Sequence, residues 1–304
     1  MLGFIGKRAL NSAVSILGLL VIVFVLTRLT GDPAALFLPL DSSQEARQEF
    51  NRLNGFDRPV VLQFLTYLRD LLHLDFGMSL RQNRPAMEVA LEAFPRTLQL
   101  AAVAILLSFS LAIAVGALAA ARPGGWFDRL SSFLSLAGAS APDFWVAIVG
   151  VLIFSVGLGL LPTSGTGGIA YWILPVSVLT LRPFGLLVQV VRGTMIGVLA
   201  QPHVKTAKAK GLPPRSILLR HGLRNSMLPV ITVAGDLAAS LVNGAVVVET
   251  IFGWPGIGKL MIDSIVQRDF AVVQSTILVT ACAIFLLNIL IDLAYAALDP
   301  RIRY

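Results

Sequence analysis

Six charged residues stand inside stretches of chain that are otherwise apolar: Arg28, Asp143, Arg182, Asp236, Glu249 and Asp292. A charge held in membrane-length apolar sequence is costly and usually faces a polar cavity or a partner charge. Arg182, Gly185, Gln189 and Arg192 recur at i, i+3, i+7 and i+10, which is one face of a helix. Thr232, Asp236, Ser240 and Asn243 share a second face, and Thr280, Asn288 and Asp292 a third. Pro142-Asp143 falls inside a long apolar run, where a discontinuous helix beside a cavity would put it. Asp143, Arg182, Gln189, Asp236, Ser240 and Asn243 are therefore candidate linings of a path across a membrane. Arg182 and Asp236 offer the cation and the anion that would meet the carboxylate and ammonium of a zwitterionic solute. They could equally pair with each other or with a second membrane protein. Asp292 reads as interfacial.

Other chemistries find little support. Gly253-Trp-Pro-Gly-Ile-Gly258-Lys259-Leu260 nearly spells a phosphate loop, Gly-x4-Gly-Lys-Ser/Thr. Leu260 stands where a magnesium-binding hydroxyl is required, and no buried strand precedes the run. Pro255 and the glycines read instead as a tight turn, so no nucleotide site is expected in this chain. No Gly-x-Ser-x-Gly element is present, and no histidine within a span could serve as a base, so a hydrolase is unsupported. His73, His203 and His221 are scattered and give no local metal pair, while the single Cys282 can form no intrachain disulfide.

The elements that would hold these residues are membrane helices. Of 304 residues, 13% are charged, about half the usual quarter. The mean hydropathy is +0.80. Apolar stretches cover 9–29, 97–121, 131–160, 172–191, 228–250 and 273–297. Each reaches the roughly 20 residues needed to cross a bilayer core. Soluble enzymes, disordered chains and secreted disulfide scaffolds are excluded. The expectation is an all-α membrane protein with six transmembrane helices in one domain, 1–304. Lys7 and Arg8 precede a run too long for a signal peptide, and no small-x-small cleavage site follows it, so it reads as an uncleaved first span.

The net charge of +7 reports topology rather than nucleic-acid binding, since the basic residues sit between spans. With the N-terminus in the cytoplasm, the inner segments carry thirteen Lys and Arg, and the short outer loops carry only Lys259 and Arg268. Both termini are then cytoplasmic. Trp126 and Trp172 fit interfacial anchors. The loop 30–96 becomes an extracytoplasmic helical insertion. Ser42 and Ser43 are placed to cap a helix through Phe50, Pro59 to open a second, Pro85 to open a third, and Pro95 to break it before span two. The insertion would serve as a packed lid or as a docking face for an external partner.

The block 192–227 would be cytoplasmic. Ala207, Ala209 and Gly211 favour a short helix, close approach and a sharp turn. Pro213 and Pro214 are set to start a second helix over 215–227. Such a helix–turn–helix would suit a groove on a cytosolic protein, although a solvated basic loop has the same composition.

Val204-Lys-Thr-Ala-Lys-Ala-Lys-Gly-Leu212, followed by Arg220-His-Gly-Leu-Arg-Asn225 and Leu228-Pro229, resembles the EAA loop of ABC importer permeases in the dipeptide/oligopeptide/nickel branch. Arg28-Leu-Thr-Gly-Asp-Pro-Ala34, Asp57-Arg-Pro59, Asp75-Phe-Gly-Met-Ser-Leu80, Val248-Glu-Thr-Ile-Phe-Gly-Trp-Pro-Gly-Ile-Gly258 and Leu298-Asp-Pro-Arg-Ile-Arg-Tyr304 carry the same likeness over essentially the whole chain. There are departures. Thr206 stands where the generic pattern has Glu, and His221 and Arg224 where it has Ile and Pro, the latter two being usual in the peptide branch. Pro202-His203 replaces the usual Asp-Tyr, and Gln189 a frequent Arg. The branch has an apolar or small residue near Arg182 and no acid near Asp236. These departures bear on the solute rather than on coupling.

The resemblance implies the type I importer fold and a transport subunit rather than an enzyme. Thr206, Ala207, Ala209, Gly211, His221, Arg224 and Asn225 would belong to the ATPase-coupling loop. The implied partners are a second homologous permease, two cytosolic ATPases that hold the ATP and magnesium, an extracytoplasmic solute-binding protein and the bilayer of a bacterial inner membrane, with no nucleic acid. A di- or oligopeptide is the favoured solute, with nickel or another small peptide-like solute as the alternative. A secondary transporter driven by an ion gradient, using Asp143 and Asp236 as proton sites, is the competing class.

Overall fold

The computed structural model describes residues 11, 14–22, 24, 25, 38, 42–53, 55–73, 75–79 and 81–298, with side chains through Ile291 except Leu72. The helices are α1 Gln44–Leu53, α2 Val60–Leu72, α3 Ala86–Ala121, α4 Trp126–Ser140, α5 Asp143–Gly150, α6 Ala170–Leu199, α7 Pro202–Ala209, α8 Pro214–Ser216, α9 Arg224–Phe252, α10 Ile257–Val266 and α11 Phe270–Leu298. Single π-helical turns, Val151–Gly157 and Ile217–Leu223, extend α5 and join α8 to α9. No strand forms among the described residues beyond one isolated bridge, Met78 with Pro85.

Among the described residues, four helices are long and apolar enough to cross a membrane: Ala86–Ala121, Ala170–Leu199, Pro214–Phe252 and Phe270–Ile291. A fifth candidate is the pair Trp126–Ser140 and Asp143–Gly157, bent by 101°. The bend sits at the expected Pro142-Asp143. Ala141 and Pro142 are both extended, as a residue before proline prefers, and the ladder restarts at Asp143. The first expected span, 9–29, is described only in part and is helical over 14–22. Lys7, Arg8, the run Arg28–Ala34, the end of the chain past Leu298, and the Asp292 side chain lie outside the described residues.

Two expectations are corrected. Pro95 does not break the helix: α3 is continuous for 36 residues, about 54 Å at 1.5 Å per residue. A proline costs one ladder hydrogen bond but need not end a helix held by its neighbours. Likewise, 215–227 is not a separate helix. It runs without interruption through the π turn into the fifth span, so Pro214–Phe252 is one 39-residue element.

The chain divides into two compact units. One comprises residues 1–95 and 259–285, the other 96–258 and 286–303. In the first, Ser43 Oγ accepts the Ala46 N–H and caps α1 as expected, although the helix continues to Leu53. Phe76, Ala86 and Val89 pack with Val272 and Leu278. The segment Asp75–Ser79 is fixed by three devices. Asp75 Oδ1 accepts the Gly77 N–H at 2.9 Å, Gly77 takes the left-handed φ of +82°, and Ser79 Oγ donates to buried Asp269 Oδ2 at 2.6 Å.

The core of the second unit is α3, α4, α6 and α9. Leu100, Ala104, Leu174, Leu179, Leu241, Val248 and Phe252 form one cluster, and Ala112, Leu187, Val188, Val191, Met195 and Val230 another. Small residues set the spacing. A Cβ on Gly185 of α6 would lie 2.2 Å from the Ser135 carbonyl of α4, and one on Gly116 of α3 would lie 2.7 Å from Val191. Ser108 Oγ of α3 donates to the Thr180 carbonyl of α6 at 3.1 Å, joining backbones across the packed face.

Candidate coupling surface and translocation path

The candidate coupling residues lie in the second unit. Gln201 is extended and Pro202 occupies the first turn of α7, where a missing N–H costs nothing. Val204 and Ala207, three residues apart, pack inward on Ile217 and Leu199. Gly211 closes the helix at φ +76°, a conformation costly for any residue with a Cβ, and its N–H donates to the Lys208 carbonyl at 3.0 Å. Leu212 N–H then reaches the Ala207 carbonyl at 3.3 Å. Pro213 is extended and Pro214 starts the return helix. Gly222 lets that helix sit against Leu199 and Met195, since a Cβ there would be 3.1 Å from Leu199 and 3.2 Å from Met195.

The result is a short helix held from beneath and exposed above. His203, Lys205, Thr206, Ala209 and Lys210 are exposed, as are Arg224 and Asn225, whereas Ala207 is buried. Thr206 Oγ1 donates to the Pro202 carbonyl, and Asn225 Nδ2 to the His221 carbonyl at 2.8 Å. The structure also brings His203 and His221 together, with ring centroids 6.4 Å apart. The two lie 18 residues apart in sequence, and the helix–turn–helix brings them side by side. Among the described residues no group of three or more His, Cys, Asp or Glu could hold a metal.

Beside this loop lies an ion pair that sequence reasoning missed. Asp128, in the first turn of α4, is 2% exposed. Its carboxylate accepts from Arg192 Nε and from Arg192 Nη2, the latter at 2.8 Å, and from the Gly124 N–H at 2.7 Å. Arg192 was placed on the polar face of span four, but its partner lies in a different helix. The available signal was an acid four residues after Gly124, in a short polar segment that also holds Arg122 and Arg129.

The candidate path residues separate into two groups. Gln189 faces α4, where Nε2 donates to Ser135 Oγ at 2.7 Å and to the Ser132 carbonyl at 3.3 Å. Arg182, Asp236, Ser240 and Asn243 are exposed and Asp143 is half-buried. Ser240 Oγ donates back to the Asp236 carbonyl within its own helix. No ion pair joins Arg182 to Asp236 among the described residues. Asp143 lies within electrostatic reach of Arg182.

The phosphate-loop look-alike has a physical explanation. Gly253 ends α9 at φ +63°, and Trp254 N–H returns to the Glu249 carbonyl at 2.9 Å. Glu249 is fully buried and its Oε2 accepts the Gly258 N–H at 2.8 Å. A Cβ on Gly256 would fall 2.1 Å from Oε1. The glycines that could cradle a phosphate instead cradle the protein's own carboxylate at the start of α10, where amide groups favour an anion. Trp254 is buried edge-on to Trp172, with centroids 4.6 Å apart.

Residues 112–304 match the family described as binding-protein-dependent transport system inner membrane component. The chain belongs to this family of ABC importer permeases. The permease is 36% identical over 316 residues to the oligopeptide transport system permease protein AppB of Bacillus subtilis (strain 168), covering 100% of both chains. It is 35% identical over 305 residues to the glutathione transport system permease protein GsiC of Salmonella typhimurium (strain LT2), again covering 100% of both. A crystal structure of an amino acid ABC transporter with histidines is similar in fold. The match has a TM-score of 0.54 at 13% identity and covers 69% of the permease and 94% of that chain. The permease is thus a multi-pass inner-membrane transport subunit. Its class works with ATPase and solute-binding subunits.

Proposed function

We propose that this permease forms half of the translocation path for di- or oligopeptides in an ATP-driven type I importer. The observation that carries the reading is full-length similarity to permeases named for oligopeptide and glutathione transport, joined to a short helix whose base is packed and whose outer face is free. A second homologous permease completes the path. Two cytosolic ATPases hold ATP and magnesium, and this chain supplies no catalytic residue. Both termini and the loop 192–227 are cytoplasmic, and the insertion 30–96 faces the solute-binding protein. In this scheme ATP draws the two ATPases together, the exposed face of α7 moves with them, and the cavity turns outward. Arg182, Asp143 and Asp236 contribute charged groups to the path.

The test is ATP hydrolysis by the complete complex in nanodiscs, with and without binding protein loaded with a dipeptide. Wild type is expected to show ligand-stimulated hydrolysis. Gly211→Pro should lose the stimulation while the complex stays assembled, because proline cannot adopt φ +76° or donate to Lys208. Hydrolysis that couples but ignores peptides would remove the substrate reading and leave the architecture. If no ATPase co-purifies and the chain alone moves solute down an ion gradient, the importer reading fails.

A further inference from the structure

A groove of about 840 Å³ runs between the α3–α4 turn and the base of the α7 loop, within the second unit. Its floor is apolar, with Ile196 and Leu199 from α6 and Leu218 from the π turn. Its rim carries Arg122, Lys208 and Arg215, all exposed, and no acidic residue lines it. None of these three side chains makes a hydrogen bond or an ion pair among the described residues. That contrasts with Arg192 nearby, which is committed to Asp128. Lys208 follows Val204 by one helical turn, so it sits on the inward flank of α7, away from Thr206 and Lys210. The groove is therefore distinct from the free outer face of α7.

Its position decides its chemistry. The apolar run of α3 ends at Ala121, beside Arg122, and α6 ends at Leu199. The groove lies at the level where spanning helices leave the hydrocarbon. Three unpaired cations above an apolar floor complement an amphiphile with an anionic head and a hydrocarbon body. A free phosphate would use the rim and leave the floor wet. Basic pockets between helix ends at the inner surface are known seats for anionic lipid headgroups. We infer that this groove binds an anionic phospholipid of the inner leaflet, its phosphate held by Arg122, Lys208 and Arg215 and its upper acyl chain on Ile196, Leu199 and Leu218. The inference rests on the proposed orientation, which places this end of the spans in the cytoplasm.

The test counts bound lipid on the whole importer complex by native mass spectrometry, after exchange into phosphatidylglycerol or phosphatidylcholine. Wild type is expected to retain one more phosphatidylglycerol per copy of this chain than R122Q/K208Q/R215Q, and to retain no phosphatidylcholine there. Each cation near an anionic lipid surface contributes about a fivefold factor, so the triple variant should weaken phosphatidylglycerol binding about 100-fold. R122Q alone, on a surface turn, should cost about fivefold, which keeps the test decisive if the triple variant fails to fold. R122K/R215K should retain the lipid, as should R81Q in the insertion. Equal lipid counts in wild type and R122Q, equal retention of phosphatidylcholine, or displacement of the lipid by inorganic phosphate would each overturn the inference. Loss of ATPase subunits from the triple variant with its lipid intact would overturn it in favour of a protein-docking groove. If wild type co-purifies without ATPase, the importer reading falls, while the lipid count still answers this question.

Discussion

The Thr97 hydroxyl donates to the buried Glu249 carboxylate and accepts the Ile257 N–H at 2.8 Å, so one side chain of α3 fastens both the end of α9 and the start of α10. Glu249 completes the arrangement by accepting the Gly258 N–H, and Trp254 Nε1 donates to the Arg96 carbonyl at 3.1 Å beside it. The Thr97, Glu249, Ile257 and Gly258 groups are buried, and every polar group named here has a partner. A carboxylate in this position is therefore a fastening of the turn, held by protein donors that leave little for a ligand.

Truncating either partner should loosen the turn. Glu249→Ala leaves the Gly258 N–H and the Thr97 hydroxyl buried without acceptors, at roughly 1–3 kcal/mol for each orphaned group. Thr97→Val should destabilise comparably, since it leaves the buried Ile257 N–H without its acceptor and Glu249 Oε1 without a donor, and Thr97→Ser should restore most of the stability. Thermal unfolding of the purified permease in detergent gives the order. Equal transition temperatures for wild type and Glu249→Ala would contradict this account.

Gly185 should tolerate no side chain. An added Cβ meets a carbonyl at 2.2 Å and Ala139 at 3.0 Å, both on α4. Gly185→Ala should cost about 1–3 kcal/mol by overpacking. Gly193, in the same helix, has nothing within 4 Å of its would-be Cβ. Gly193→Ala should be neutral or raise stability by about 0.5–1 kcal/mol, as alanine does in a helix interior. The opposite signs of the two changes, read in one unfolding assay, are the check.

Asp128 and Arg192 should act as a unit. Removing Arg192 leaves the buried Asp128 carboxylate uncompensated, at about 3–5 kcal/mol, whereas removing Asp128 leaves a part-exposed arginine and an unpaired Gly124 N–H at a smaller cost. Arg192→Ala should destabilise strongly and Asp128→Ala less, and the double variant should lose much less than the sum. Additive losses would show that the pair contributes no coupling.

Exchanging the charges of Arg182 and Asp236 should not rescue transport. Because no ion pair joins them, Arg182→Glu is expected to reduce peptide uptake and Arg182→Glu/Asp236→Arg to reduce it further. Uptake of labelled dipeptide by vesicles containing the complex measures this. Recovery of full uptake in the double variant would make the two residues a structural pair.

The sequence carried the parts of this fold that depend on local chemistry. Pro59 and Pro85 open helices where their fixed φ suits a first turn, and Pro142 interrupts one inside an apolar run. Gly211 and Pro213 mark a turn that any chain of this composition would make. Pro95 misled because the local rule favours a break while surrounding contacts keep the helix continuous. Glu249 was legible as a buried charge, but its partners, Thr97 and Gly258, come together only through folding. The same holds for Asp128 with Arg192 and for His203 with His221. Of the path candidates, only Gln189 proved to spend its polar atoms on a neighbouring helix, a distinction that helical periodicity cannot draw.

The Ser79–Asp269 hydrogen bond has a consequence for biosynthesis. Its two ends are 190 residues apart. The ribosome therefore delivers the Asp75–Ser79 turn long before the carboxylate that fastens it. While most of the polypeptide is still being made, that turn must wait unfastened. A nascent chain halted before Asp269 would lack this fastening, which only a chain extended through Asp269 can make.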